Sequence, residues 1–255
     1  EKFLGSKIRL TENHHAKVEK KIEAHKAGGV YYTPEYIVNY IVENTVGKKI
    51  EGLTPEEIKS IKIVDPACGS GSFLLGAYSC LLDYHQKWYS ANKKDKNYKN
   101  DWYVSNDGDI KVKLQKRGEI LKNNIFGVDI DNEATEVAMM SLYLKMLDDG
   151  FEKEQLELYF HMGHVLPEMT ENIKCGNSLI GSDYNVDKNG NYRILTEAEK
   201  RKINAFDWDK EFPDIFNNGG FDCVIGNPPW GSKEIIENYL LPYIDKKYKR
   251  GIHNL

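Results

Sequence analysis

Cysteine is scarce in this chain and carries no pattern. Cys68, Cys80, Cys175 and Cys223 form no CxxC pair and no zinc-ligand spacing. That argues against a disulfide framework and a structural metal, and leaves reduced thiols in a cytoplasmic protein. No apolar run approaches the roughly 20 residues of a bilayer-spanning helix, and no signal peptide opens the sequence, so no membrane partner is expected. Internal repeats are absent. An initiator methionine is also lacking, and the chain stops abruptly at Ile252-His253-Asn254-Leu255. It reads as a piece of something longer.

What is present is ordinary for a globular domain. The 255 residues are 40% apolar, 29% charged and 11% aromatic, enough for one substantial core with a small helical appendage. The net charge of -4 decides nothing about nucleic acid, because a whole-chain balance can hide a local basic face.

Along the chain, residues 1–28 mix Lys, Glu and His with scattered apolar positions and are expected to form a helical lead-in from a preceding region, broken at Gly28-Gly29. Thr33-Pro34-Glu35 predicts a helix start with Thr33 as N-cap, and Thr54-Pro55-Glu56 a second, shorter one. Ile61 to Val64 is a β-branched run ending in Asp65, read as the first buried strand. A glycine turn and a helix through Phe73, Leu74, Tyr78 and Leu81 follow. Residues 87–118 are Lys- and Asn-rich and are expected to be a solvated polar insertion rather than a phosphate-binding surface. Ile125 to Val128 predicts a second strand ending in Asp129, after which Asp131 caps a helix containing Val137, Met140, Leu144 and Leu147. A weaker strand leads to Cys175-Gly176-Asn177-Ser178, and Phe221 to Ile225 forms a final buried strand. Strands alternating with helices imply a parallel α/β sheet with its site at the carboxyl ends of the strands.

Three stretches carry chemistry. Asp65-Pro66-Ala67-Cys68-Gly69-Ser70-Gly71 lies between a strand and a helix, where glycines allow close approach to a ligand and the helix start offers N–H donors. Gly69 and Gly71 fit the first two positions of a dinucleotide fingerprint, but Leu74 occupies the third, so that fingerprint fails. The loop alone points to a nucleoside cofactor of open identity. Asp129 closes the second strand where an acid takes both ribose hydroxyls of an adenosine moiety, with Ile130 placed to pack on the adenine face. Position alone favours Asp129 as ligand and Asp131 as cap. Asn227-Pro228-Pro229-Trp230 is the most specific stretch. Its two prolines end a strand in a rigid loop, and Trp230 offers a flat face on which a base turned out of a duplex can stack.

Taken in order, Gly29-Val30-Tyr31-Tyr32-Thr33-Pro34, Asp65 to Phe73, Gly127-Val128-Asp129, Gly176-Asn177-Ser178-Leu179 and Asn227 to Trp230 resemble the amino-methyltransferases of restriction–modification systems. The likeness is greatest to the fused type IIG enzymes and to type I modification subunits. Phe206-Asp207-Trp208, followed by Phe221 to Gly226, is similar to the same group, and the resemblance covers residues 28–232.

The resemblance implies an α/β, Rossmann-like S-adenosylmethionine-dependent methyltransferase fold, with a mostly parallel sheet flanked by helices. It also implies transfer of a methyl group to the N6 amino group of adenine in double-stranded DNA. Thr33, beside Tyr32, would help hold the methionine carboxylate of the cofactor. Asp65, Ala67, Gly69, Ser70 and Gly71 would lie along its methionyl part, and Asp129 would bind the ribose. Asn177, where the family commonly has aspartate, would accept from the adenine amino group through its amide oxygen, with Ser178 beside it. The Asn227 oxygen and the Pro228 carbonyl would hold the target amine. No metal is implied, and no Asp…Glu-x-Lys nuclease constellation is found, so cleavage is expected outside this chain. The family sheet has seven strands, and the strand feeding Asn227 is its fourth. Residues 29–255 are therefore expected to be the N-terminal part of the catalytic domain, truncated after the fourth strand. The strand Phe221 to Ile225 would then stand at an open edge, and the remaining strands and the target-recognition region would come from a C-terminal part.

Overall fold

The computed structural model describes residues 6–10, 16–20, 33–148, 166–185 and 195–228, together with Tyr243 and Lys247. Strands β1 (Ser6–Leu10) and β2 (Ala16–Lys20) pair antiparallel, with Ile8 opposite Val18. The helix expected over residues 1–28 is therefore replaced, at its described positions, by a hairpin. Ile8, Leu10 and Val18 sit at a two-residue period that favours strands over the helix suggested by the surrounding Lys and Glu.

Helix α1 (Glu35–Val42) continues through a π-helical turn, Glu43–Gly47, into Lys48–Ile50. Its N-cap is Pro34 rather than Thr33, and the Thr33 hydroxyl accepts from Asn227 instead. Helix α2 (Pro55–Ile58) starts with the expected cap, Thr54 and Glu57 closing a reciprocal capping box. Strand β3 (Ile63–Asp65) leads into α3 (Ser72–Ala91). The insertion departs from expectation. Strands β4 (Trp102–Val104) and β5 (Ile110–Val112) form an antiparallel hairpin, whose Ile110 and Val112 enter the main core, while Trp88 stacks edge-on to Tyr98 at 4.7 Å. Aromatic and β-branched residues spread among the lysines suffice to fold it. It packs along α3, where the Tyr89 hydroxyl donates to Asp101 Oδ2 at 3.1 Å.

Helix α4 (Leu114–Asn124) runs directly into β6 (Ile125–Asp129), followed by α5 (Asn132–Leu147) and β7 (Ile173–Cys175). Then come α6 (Glu197–Ile203), α7 (Trp208–Glu211), α8 (Pro213–Asn217) and β8 (Cys223–Val224). The parallel sheet has the order β7-β6-β3-β8. From β3 the chain steps outward to β6 and β7, then crosses back to place β8 on the other side of β3. That reversal opens a crevice between β3 and β8 at the carboxyl ends of the strands. One face of the sheet, with Ile63, Ile125, Ile173 and Cys223, packs in the main core with α1, α3, α4 and α5. The other face, with Val64, Phe126 and Val128, packs on Phe206, Phe212 and Ile215. Val224, at the edge of the sheet among the described residues, stays 65% exposed. No helix among them is long and apolar enough to cross a membrane.

Two buried asparagines hold the strand entrances. Asn124 donates to the carbonyls of Ile58 and Ile61, both at 2.7 Å, just before β3. Asn172 donates to Lys122 at 2.8 Å and Ile125 at 2.9 Å, where α4 becomes β6. Asn124→Ala should leave both buried carbonyls without this donor and lower unfolding free energy by about 1–3 kcal/mol in a urea titration. Unchanged stability would show that water replaces the amide freely.

Candidate active site

Asp65 ends β3 opposite Gly127 of β6, so the chain turns at the carboxyl edge of the sheet. The turn is pinned on both flanks. The Ala67 N–H donates to Asp65 Oδ1 at 3.0 Å, and the Cys68 N–H donates to the Val128 carbonyl at 3.0 Å. Gly69 and Gly71 take positive φ values of 52° and 88°, a region that side chains disfavour. A Cβ on Gly71 would lie 3.2 Å from that of Ala138, whereas one on Gly69 would meet nothing within 4 Å. Gly71 thus brings α3 close to α5, and Gly69 faces open space. Ala67, Ser70 and Gly69 line that space, half-buried.

The two acids after β6 have separate roles. Asp131 accepts from the Glu133 N–H at 2.9 Å and caps α5. Asp129 accepts from the Gly69 N–H through Oδ2 at 2.8 Å and from the Asp131 N–H through Oδ1 at 2.9 Å. Its carboxylate therefore ties the glycine loop to the end of the second strand. Ile130 beside it is 54% exposed.

The loop after β7 closes on the same place. The Gly176 N–H donates to the Asp129 carbonyl at 2.8 Å, and the Ser178 hydroxyl donates to the Pro66 carbonyl. Asn177 accepts from the Leu179 N–H through Oδ1 at 3.2 Å, so its amide oxygen first serves its own turn. The phrase Phe206-Asp207-Trp208 supports this loop, a role that nothing in the sequence announced. The Phe206 N–H donates to the Ile180 carbonyl, the Ser182 N–H to Asp207 Oδ1, both at 2.7 Å, and Trp208 Nε1 to the Ser178 carbonyl at 2.9 Å.

From the other side of the crevice, β8 delivers Gly226 and Asn227. The Ile225 N–H donates to the Val64 carbonyl at 2.9 Å. A Cβ on Gly226 would lie 2.5 Å from Asp65 Oδ1. Only glycine lets this strand end pass against the buried carboxylate, a requirement hidden in the sequence because its cause lies about 160 residues upstream. Asn227 Nδ2 donates to Thr33 Oγ1 at 3.2 Å. The structure thus joins Thr33 to Asn227, and Asp65, the glycine loop, Asp129 and Ser178 to one another. Tyr32, Pro229 and Trp230 lie outside the described residues. Among the described residues no group of His, Cys, Asp and Glu is arranged to hold a metal ion.

Strand order, glycine turn and crevice are those of a Rossmann-like methyltransferase domain. The family description N-6 DNA Methylase matches residues 18–160 and Eco57I restriction-modification methylase matches residues 123–254. The chain belongs to this family of restriction–modification N6-adenine methylases. It is similar to the type II restriction enzyme and methyltransferase RM.Eco57I of Escherichia coli, 34% identical over 248 residues, covering 97% of this chain and 22% of that protein. The putative type II restriction enzyme and methyltransferase RM.MjaORFECS2P of Methanocaldococcus jannaschii is 30% identical over 228 residues, covering 71% of this chain and 17% of that protein. The adenine-specific methyltransferase BrxX of Escherichia coli is 28% identical over 151 residues, covering 46% and 11% respectively. The chain therefore spans at most 22% of the length of these relatives.

Electrostatics single out Asp65. Burial, opposed by the Ala67 hydrogen bond and reinforced by the charge of Asp129, pushes its pKa up to about 7. Burial raises Asp129 as well, against the hydrogen bonds from Asp131 and Gly69. Cys68 is raised by burial and by both carboxylates, which removes it as a nucleophile. An acid raised on folding stabilises the fold fully below its unfolded pKa, and that contribution is lost as pH rises through the folded value. The ligand-free protein should therefore melt at progressively lower temperature as pH rises from about 4 to about 7 and level off above that, and Asp65→Asn should flatten the slope. An unchanged slope in Asp65→Asn would assign the effect to another group.

Proposed function

We propose that this chain carries the catalytic part of a site-specific DNA methyltransferase, acting on the N6 amino group of an adenine turned out of duplex DNA, with S-adenosylmethionine as methyl donor. The observation that carries the reading is the meeting of Asn227 with Thr33 across the switch-point crevice, next to the loop of Asp65 and Gly69. The residues suit this cofactor. Gly69 faces open space, Asp129 is half-buried and oriented by two backbone amides, and Asp65 is a desolvated acid suited to a cationic neighbour.

The cofactor supplies an activated methyl group on a sulfonium sulfur. The protein supplies orientation. An exocyclic amine is a poor nucleophile because its lone pair is delocalised into the ring. The Asn227 oxygen and the Pro228 carbonyl accept its two N–H bonds, favour a tetrahedral nitrogen and aim the lone pair at the methyl carbon. When bound, the cofactor would supply the methyl group and depart as a neutral thioether, and the amine's surplus proton would pass to solvent. Donation from Nδ2 to Thr33 sets the amide plane, so the acceptor is positioned before substrate arrives. Trp230 stacks on the extruded base, worth about 1–3 kcal/mol against an unstacking cost of a few. Sequence choice is left to a target-recognition region elsewhere in the longer protein, which works in the cytoplasm within a restriction–modification system.

Radiolabel transfer by the full-length protein to duplex DNA, free RNA and protein tests the reading, and label confined to RNA or protein would overturn it. Asn227→Ala should lower turnover about a hundredfold or more while leaving cofactor binding nearly intact. Full activity in that variant would remove the mechanism. Asp129→Ala should weaken cofactor binding clearly by calorimetry, and unchanged affinity would reject it as the ribose ligand.

A further inference from the structure

The loop from Asn177 to Asp183 is gripped from two sides. Phe206, Asp207 and Trp208 hold its inner side. Its outer side is held by two residues that follow Asn227 in the chain, Tyr243 and Lys247. The Tyr243 hydroxyl donates to Asp183 Oδ1 at 2.5 Å and accepts from the Gly181 N–H at 3.0 Å and from Lys247 Nζ at 2.6 Å. Lys247 Nζ also reaches Asp183 Oδ1 at 3.1 Å and lies 5.1 Å from the Tyr243 ring centroid. The tyrosine packs against Ile180 and Ile203, which are buried. Burial would raise Asp183, but the bonds from Tyr243 and Lys247 outweigh it and hold its pKa below the ordinary value. These residues make a compact clasp of one backbone amide, one hydroxyl, one ammonium and one carboxylate.

We infer that Tyr243 and Lys247 are positioning residues for the nucleoside end of the cofactor. The inference rests on the proposed function. They touch no cofactor themselves. They fix the loop whose other end presents Asn177 and Ser178 beside Asp129, and Ser178 in turn is bonded to the glycine loop at Pro66. Because they lie downstream of Asn227, the segment that follows the catalytic tetrapeptide is tied to the cofactor loop. Occupancy of the one site therefore favours the working position of the other. A ligand that orders the loop gains from a clasp already closed, since less conformational freedom remains to be lost on binding.

The test uses the full-length protein with S-adenosylmethionine and duplex DNA. Tyr243→Phe removes only the hydroxyl, Lys247→Met removes the ammonium, and Lys247→Arg keeps a cation that can reach Asp183. Calorimetry should show cofactor affinity weakened about three- to tenfold in the first two variants, the size of one hydrogen bond. The cofactor KM should rise in step, with kcat at saturating cofactor unchanged, and Lys247→Arg should recover most of the loss. Affinity equal to wild type in Tyr243→Phe and Lys247→Met overturns the inference whether or not their melting temperatures fall. A loss confined to kcat overturns it too. If wild-type protein itself binds no S-adenosylmethionine, it is the underlying functional reading that fails.

Discussion

Parallel pairing of β3 with a neighbour on each side is the constraint from which the rest of the site follows. Ile63 and Val64 are matched to Ile125 and Phe126 on one flank and to Cys223 and Val224 on the other. Three loops therefore leave the sheet at nearly one level, and they diverge because the chain returns across β3 to build β8. Hydrogen bonds at the opposite end keep that register. Asp222 Oδ2 accepts from the Lys62 N–H at 2.9 Å while its own N–H donates to the Lys62 carbonyl at 2.8 Å, and Asn124 holds the residues just before. A slip of one residue would turn Asp65 to the opposite face of the sheet and carry Gly226 away from it.

The strands of the parallel sheet were legible in the sequence because each is a short apolar run whose end is punctuated by an acid or a glycine, whereas both antiparallel hairpins were missed. Helix starts were legible where a side chain caps its own helix, as at Thr54 and Asp131. Reading failed where a residue's partner is distant. Thr33 has the residue type and position of an N-cap, yet its hydroxyl meets a side chain 194 positions away. Helix α5 shows a related limit. It is apolar on every side, so its periodicity cannot tell which face is buried. Ala134, Ala138, Leu142 and Met146 turn inward, while Val137, Met140 and Leu144 remain 40%, 59% and 61% exposed. Close approach of the glycine turn selects the alanine face, because Gly71 packs directly on Ala138. The small residues were informative where hydrophobicity was not.

The candidate site was legible as a set of motifs but not as a mechanism of support. Position along the chain picked out Asp131 as the cap of α5, and Asp129, the last residue of β6, reaches back to the Gly69 N–H. The roles of Asp207, Trp208 and Gly226 had no such signal. Trp208 packs edge-on against Phe206 at 5.0 Å, yet its indole N–H is what holds Ser178. Its apolar ring and polar edge act on different neighbours, and only the first action has a compositional trace.

Two acids face one loop from adjacent strands, and each is raised by burial even as it holds backbone amides in place. Desolvating Asp65 at 1% exposure, with Asp129 adding to its shift, costs stability in the ligand-free protein at neutral pH and above. A buried carboxyl of this kind has two ways to relieve the cost, by keeping its proton or by gaining a positive partner. Among the described residues, Asp65 and Asp129 accept hydrogen bonds from backbone amides, which orient the carboxylates without neutralising them. On the proposed function, a cationic ligand that carries hydroxyls would meet both needs, with charge near Asp65 and a diol at Asp129. S-adenosylmethionine has that combination, and its demethylated product has lost the sulfonium charge.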